Sequence, residues 1–145
     1  VDDFLAHMEE NTKPMHQFVA GTQCYDFIAN GPSFSSASQA GLIFREGPKV
    51  IATTVNCADY AHGWEKSVTA GYTAIVHDPI ADPDSVEMRM VRTVINQGGK
   101  VILLTAGLVE SSQSLFVVRL PDTSERLSPL AQIIPCNTLM GWLME

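Results

Sequence analysis

Hydrophobic positions along the chain fall into two kinds of block. In residues 1–18, Phe4, Leu5, Met8, Met15 and Phe18 stand apart among polar neighbours, the spacing of a helix with one buried face. An interruption is expected near Lys13-Pro14, because proline cannot donate inside a helix. From residue 24 the blocks become short, apolar and evenly punctuated. Cys24 to Ala29 reads as a buried strand closed by the turn Asn30-Gly31-Pro32. Pro32 to Arg45 puts Phe34, Ala37, Gly41 and Phe44 on one helical face, and Gly47-Pro48 stops it. Val50 to Val55 is a β-branched strand, and residues 56–66 form a polar loop with room for one helical turn. Tyr72 to His77 is the third strand, closed by Asp78-Pro79.

Asp82-Pro83 then predicts a helix start, with Asp as N-cap and Pro at the first helical position. Val86, Met90, Val91, Val94 and Ile95 give its buried stripe, and Gly98-Gly99 its end. Val101 to Thr105 and Leu115 to Leu120 are two more strands, and residues 127–144 a final apolar helix. Continuous apolar strands alternating with helices predict an α/β fold of three αβα layers, a five-stranded parallel sheet flanked by helices. The expected organisation is a helical lead-in at residues 1–20 and one domain at 21–145, with no internal repeat. Ligands of such sheets lie beyond the C-terminal strand ends, which singles out the loops 30–36, 53–66, 77–82 and 105–113.

Composition narrows the function. Hydrophobic residues are 46% and charged residues 17% of 145, too apolar for a disordered chain. Nine Lys and Arg against 16 Asp and Glu give a charge of −7, which argues against nucleic acid and anionic membranes as partners. No apolar run reaches the roughly 20 residues that cross a bilayer. Cys24, Cys57 and Cys136 are odd in number and form no CxxC pair, so they read as free thiols in a reducing, cytoplasmic setting. The chain opens at Val1 and ends within a helical pattern, as expected of a piece of a longer protein.

Candidate chemistry sits in three places. The turn holding Gly31, Ser33, Ser35 and Ser36 joins the first strand to the first helix after it, where hydroxyls and free helix N–H groups suit an oxyanion or a sugar hydroxyl. The alternative there is an ordinary strand-to-helix turn with a serine cap. Glu46 closes the same helix, facing the negative end of its dipole at a cost of roughly 0.3–1 kcal/mol if exposed, a placement that suits a general base. The alternative is a solvated glutamate beside Arg45. Residues 56–66 gather Asp59, His62, Glu65 and Lys66; His62 is suited to proton shuttling and Asp59 to orienting it, against the alternative of a helix cap and a surface histidine. Cys57 reads as a buried thiol, and His7, His16 and His77 have no partner pattern. Two ligands in one loop are too few for a metal.

The order of these pieces resembles the sugar isomerase (SIS) domain family, and over residues 24–145 the C-terminal half of double-SIS phosphosugar isomerases and deglycases. In that family a helix ends in a catalytic glutamate, and a loop of the form Gly-Glu-Phe-x-His-Gly-Pro follows the next strand. Here the helix ends Gly41-Leu42-Ile43-Phe44-Arg45-Glu46 and the loop reads Ala58-Asp59-Tyr60-Ala61-His62-Gly63-Trp64. The interval from Glu46 to His62 is 62 − 46 = 16 residues, as in the glucosamine-6-phosphate synthase and fructoselysine-phosphate deglycase relatives. Ala58, Asp59 and Trp64 depart from the family's Gly, Glu and Pro, and Gln39 stands where the synthase has another glutamate.

The resemblance implies a sugar phosphate as ligand and proton transfer through an enediol or enolamine, without metal or organic cofactor. Glu46 would be the base and His62 would assist ring opening, reaching in the synthase a neighbouring subunit's site, with Asp59 in place of the loop glutamate. It also implies a homodimer, and a separate N-terminal SIS half that carries the phosphate-gripping Ser/Thr loop. The alternative is a non-catalytic phosphosugar-binding, regulatory or dimerisation module, its contacts made by residues 1–18 and the final helix.

Overall fold

A computed structural model describes residues 2–145, with side chains from Phe4 onward. Five parallel strands, β1 (Cys24–Ala29), β2 (Ile51–Asn56), β3 (Tyr72–His77), β4 (Lys100–Thr105) and β5 (Leu115–Arg119), form one sheet in the order β2-β1-β3-β4-β5. Each of β1, β3 and β4 is buried along nearly its whole length, as their unbroken apolar runs require of strands covered on both faces. Side chains alternate between two cores. Tyr25, Phe27, Ile75, Ile102 and Leu104 face the helices α1 (Asp2–Phe18), α2 (Ser33–Glu46) and α5 (Ser128–Leu143). Ile28, Ala74, Val76, Val101 and Leu103 face α3 (Cys57–Ala61) and α4 (Val86–Asn96). The result is the expected αβα sandwich.

Two local expectations are corrected. The first helix runs through Pro14 without interruption. Pro14 is exposed, so the carbonyl that loses its partner faces water, while Met8 and Met15 lock the other face into the core. The helix after β3 starts at Val86, capped by Ser85, whose hydroxyl accepts from the Met88 N–H at 3.1 Å. Asp82 spends its carboxylate on a local turn instead, accepting from the Asp84 N–H at 2.9 Å. The 56–66 loop holds α3, capped by the Asn56 side chain, and a 3-10 turn at Trp64–Ser67.

Two features frame the strand ends. In α2, Gly41 packs against Thr54 of β2, and a Cβ there would collide with the Thr54 hydroxyl. On the edge strand, Arg119 gathers the loop after β4: its guanidinium donates to the carbonyls of Ala106, Gly107 and Val109. Leu108, between them, is 98% exposed. No helix among the described residues is long and apolar enough to cross a membrane.

Candidate functional site

The chain leaves β1 toward β2 on one side, then returns to lay β3 on the other side of β1. Loops after β1 and β3 therefore diverge, and a cleft opens between them. A cavity of about 270 Å³ lies there, lined chiefly by Asn30, Ser33, His77, Asp82, Glu87 and Glu125. Two of the four loops singled out by topology, 30–36 and 77–82, build it. Asn30 ties its walls together. Its amide donates to Glu87 Oε1 of α4 at 3.0 Å, and its carbonyl oxygen accepts from the Cys57 N–H of α3 at 3.3 Å.

The floor is a buried polar relay. β3 ends at His77, 1% exposed, whose side chain points toward α2 and α5. Its Nδ1 lies 2.9 Å from Ser36 Oγ, and its Nε2 lies 3.8 Å from Cys136 Sγ. Ser36 Oγ donates toward Gln132 Oε1 at 2.7 Å, and Gln132 Nε2 donates to Ser33 Oγ at 2.9 Å. Gln132 and Cys136 are one turn apart on α5, and Ser33 and Ser36 one turn apart on α2, so two helices present matching pairs. Burial pushes the His77 pKa down to about 3, so the ring is neutral at physiological pH. Burial pushes the Cys136 thiol up, keeping it protonated.

The cleft is acidic. Asp82, Glu87 and Glu125 line it together with Asp78, and among the described residues no lysine or arginine does. The Asp78 carboxylate is committed locally: Oδ1 accepts from the Ile80 and Ala81 N–H groups at 3.1 and 3.0 Å, fixing a turn in which Ala81 has φ +54°. Among the described residues no group of three or more His, Cys, Asp and Glu is arranged to hold a metal ion. The walls offer carboxylates, an amide and the Ser33 and Ser85 hydroxyls, which suits a ligand rich in hydroxyl hydrogens.

The residues singled out in the sequence separate into three places. Gly31 and Ser33 reach the cleft, and Ser36 lies beneath it in the relay. Ser35 turns away, exposed, donating to the Pro32 carbonyl at 2.8 Å. No serine side chain caps α2; Ser33 and Ser36 are buried instead. Glu46 closes α2 at the N-terminal edge of the sheet, exposed beside Ile43, Gly47, Met140 and Met144. His62 lies beyond the end of β2, at the C-terminal edge, in an open cleft with Phe34, Asn56, Asp59 and Trp64. The 14 residues of α2 separate the two edges by about 20 Å. Glu46 and His62 thus share no cleft within one chain. Asp59 does not orient the His62 ring either: its carboxylate accepts from the Asn56 amide at 2.6 Å. Cys57 is buried, its thiol pushed up to about 12 by burial and by the nearby Glu87 and Asp78 carboxylates.

Sequence reasoning missed His77, Gln132 and Cys136. The available signal was Gln132 itself, an amide on the face of α5 that Ala131, Pro135, Cys136 and Leu139 bury.

No family model and no curated protein matches the chain by sequence. Its fold does match solved structures. It superimposes over 97% of its length on the C-terminal domain of glucosamine-fructose-6-phosphate aminotransferase from Francisella tularensis, with TM-score 0.77 and 17% identity, spanning 40% of that chain. Over 99% of its length it matches an Escherichia coli CFT073 protein solved in complex with a sugar phosphate, with TM-score 0.77 and 16% identity, covering 85% of that chain. It also matches the sugar isomerase domain of an RpiR transcription factor from Sphaerobacter thermophilus, with TM-score 0.72 and 12% identity, over 99% of this chain and 82% of that one. The chain has the fold of the sugar isomerase (SIS) domains, and it spans about two fifths of the aminotransferase domain it resembles.

Proposed function

We propose that the chain is a sugar-phosphate-binding SIS domain that takes the polyol body of its ligand into the cleft between the ends of β1 and β3. The observation that carries this reading is the lining of the cleft. The Asp82, Glu87 and Glu125 carboxylates, the Asn30 amide and the Ser33 and Ser85 hydroxyls converge at the switch point of the sheet, with no cation among the described residues there. Sugar hydroxyls donate to carboxylates, whereas a phosphate so close to them would be repelled. The phosphate therefore lies outside the cleft, gripped by a second SIS half in a cytoplasmic assembly. Titration calorimetry with hexose and pentose phosphates tests this. Binding that weakens in Glu87→Ala supports it; millimolar inorganic phosphate competing for the cleft, or no binding of any sugar phosphate, refutes it.

A second reading is catalytic and is favoured by the 16-residue interval and by the placement of its ends. Glu46 and His62 stand at opposite edges of the sheet, so an active site using both is built from two copies of the chain. Glu46 of one copy then moves the proton beside the carbonyl or imine, and His62 of another serves the ring or leaving-group atom, with Asp59 supporting that loop. Mixing inactive Glu46→Gln and His62→Ala variants tests it. Random hybrids of a homodimer regain about a quarter of the unaltered turnover. No regained activity leaves the binding function alone, the reading to which the regulator-type neighbour corresponds.

A further inference from the structure

We propose that Gln132 is a positioning residue of the cleft: reaching from α5, it turns the Ser33 hydroxyl hydrogen outward, so that Ser33 meets the ligand as a donor. This rests on the reading of the cleft as a ligand site. The argument is a count of hydrogens.

Ser36 Oγ has three close neighbours: His77 Nδ1 at 2.9 Å, Gln132 Oε1 at 2.7 Å and the Ser33 carbonyl at 2.8 Å. A hydroxyl has one hydrogen and two lone pairs, and the two oxygens around it can only accept. The Ser36 hydrogen is therefore shared between them, and the ring nitrogen must be the donor. This fixes His77 as the Nδ1–H tautomer. Its bare Nε2 then faces the Cys136 thiol, a weak donor at 3.8 Å.

Gln132, with its oxygen committed to Ser36, offers only N–H to Ser33, so Ser33 Oγ accepts at 2.9 Å. Each hydroxyl, thiol and ring hydrogen of the relay is now spent inward except that of Ser33, whose residue lines the cleft. Against walls of Asp82, Glu87 and Glu125, Ser33 is the hydroxyl left free to donate, since that of Ser85 donates to Asp78 Oδ2 at 3.4 Å. The ligand that satisfies this set brings an acceptor oxygen to Ser33 and hydroxyl hydrogens to the carboxylates. A ring, hydroxyl or carbonyl oxygen flanked by hydroxyls fits; a carboxylate or a phosphate ester oxygen does not.

Two measurements on the unaltered, ligand-free protein decide the relay. Imidazole nitrogen shifts should show His77 protonated at Nδ1 and bare at Nε2. Nuclear Overhauser contacts should join the Gln132 amide hydrogens to the Ser33 β-hydrogens. Protonation at Nε2, or amide contacts to the His77 and Ser36 side instead, overturns the proposal. A binding series with fructose 6-phosphate as probe then reads its consequence. Gln132→Met and Ser33→Ala should each weaken binding about tenfold, with little further loss when combined. Gln132→Glu should bind like the unaltered protein while its carboxyl is protonated, donating to Ser33 and accepting from Ser36, and lose that affinity as it ionises. Equal affinity of Gln132→Met and the unaltered protein refutes the role. If the unaltered protein fails to bind the probe, the cleft reading falls, and the nitrogen shifts and amide contacts still decide the relay.

Discussion

The sheet carries a buried polar network on each face, and the two work differently. Toward α2 and α5 lies the His77 relay, at the C-terminal end of β3 and under the cleft. Toward α3 and α4 lies Asp26, in the middle of β1, accepting from the Tyr72 hydroxyl at 2.7 Å, with Tyr60 Oη 2.9 Å from Tyr72 Oη. Both start from a strand and both are made of buried side chains. Burial raises the Asp26 pKa, partly offset by the Tyr72 hydrogen bond, so its carboxyl holds its proton more tightly than usual. The first network buries a base that stays neutral and ends on a hydroxyl at the cleft; the second buries an acid and ends within the core. A polar group in a sheet core is thus no sign of function by itself. What separates the two is where the network ends.

The sharpest way to break this comparison is to remove the middle of each network. Ser36→Ala leaves the His77 N–H and the Gln132 oxygen without partners, at about 1–3 kcal/mol each. Urea unfolding should show this as the largest loss of stability among these variants, and a loss below about 1 kcal/mol would mean that the relay relaxes freely.

The pH dependence of the two faces has opposite sign. The unfolded chain protonates His77 near 6.5 and the folded protein only near 3, so stability present at neutral pH is lost as pH falls through that interval. Asp26 is raised from 3.8, so its contribution is fully present below that value and is lost as pH rises through its folded pKa. His77→Asn should flatten the acid limb of a stability profile. Asp26→Asn should flatten the other limb and raise stability at neutral pH, and a fall there would mean that the carboxylate is ionised in the fold. Tyr60→Phe removes only the last hydroxyl of the second network and should cost about 1 kcal/mol by the same urea assay. Ser35→Ala, exposed and bonded within its own turn, should change stability by less than about 0.5 kcal/mol.

Much of the architecture was legible because each strand is a short apolar run with a Gly, Pro or Asn stop, and the crevice loops followed from topology alone. The relay was not, for a reason of distance along the chain. His77 finds its partners 41 positions back at Ser36 and 59 positions ahead at Cys136, so nothing beside it announces them. The capping of α4 by Ser85 was hidden differently: Asp82-Pro83 carries an equally good local signal, and the Asp82 carboxylate spends it on its own turn with Asp84. The separation of Glu46 from His62 was, by contrast, contained in the predicted elements. One closes a helix running back along the sheet and the other follows the next strand, which puts them at opposite edges.

Arg119 has a consequence for ligand traffic. With one guanidinium holding three main-chain carbonyls after β4, the segment around Leu108 is braced against the edge strand. For the proposed sugar-phosphate ligand, covering the doorway then falls to whatever docks from outside rather than to this segment.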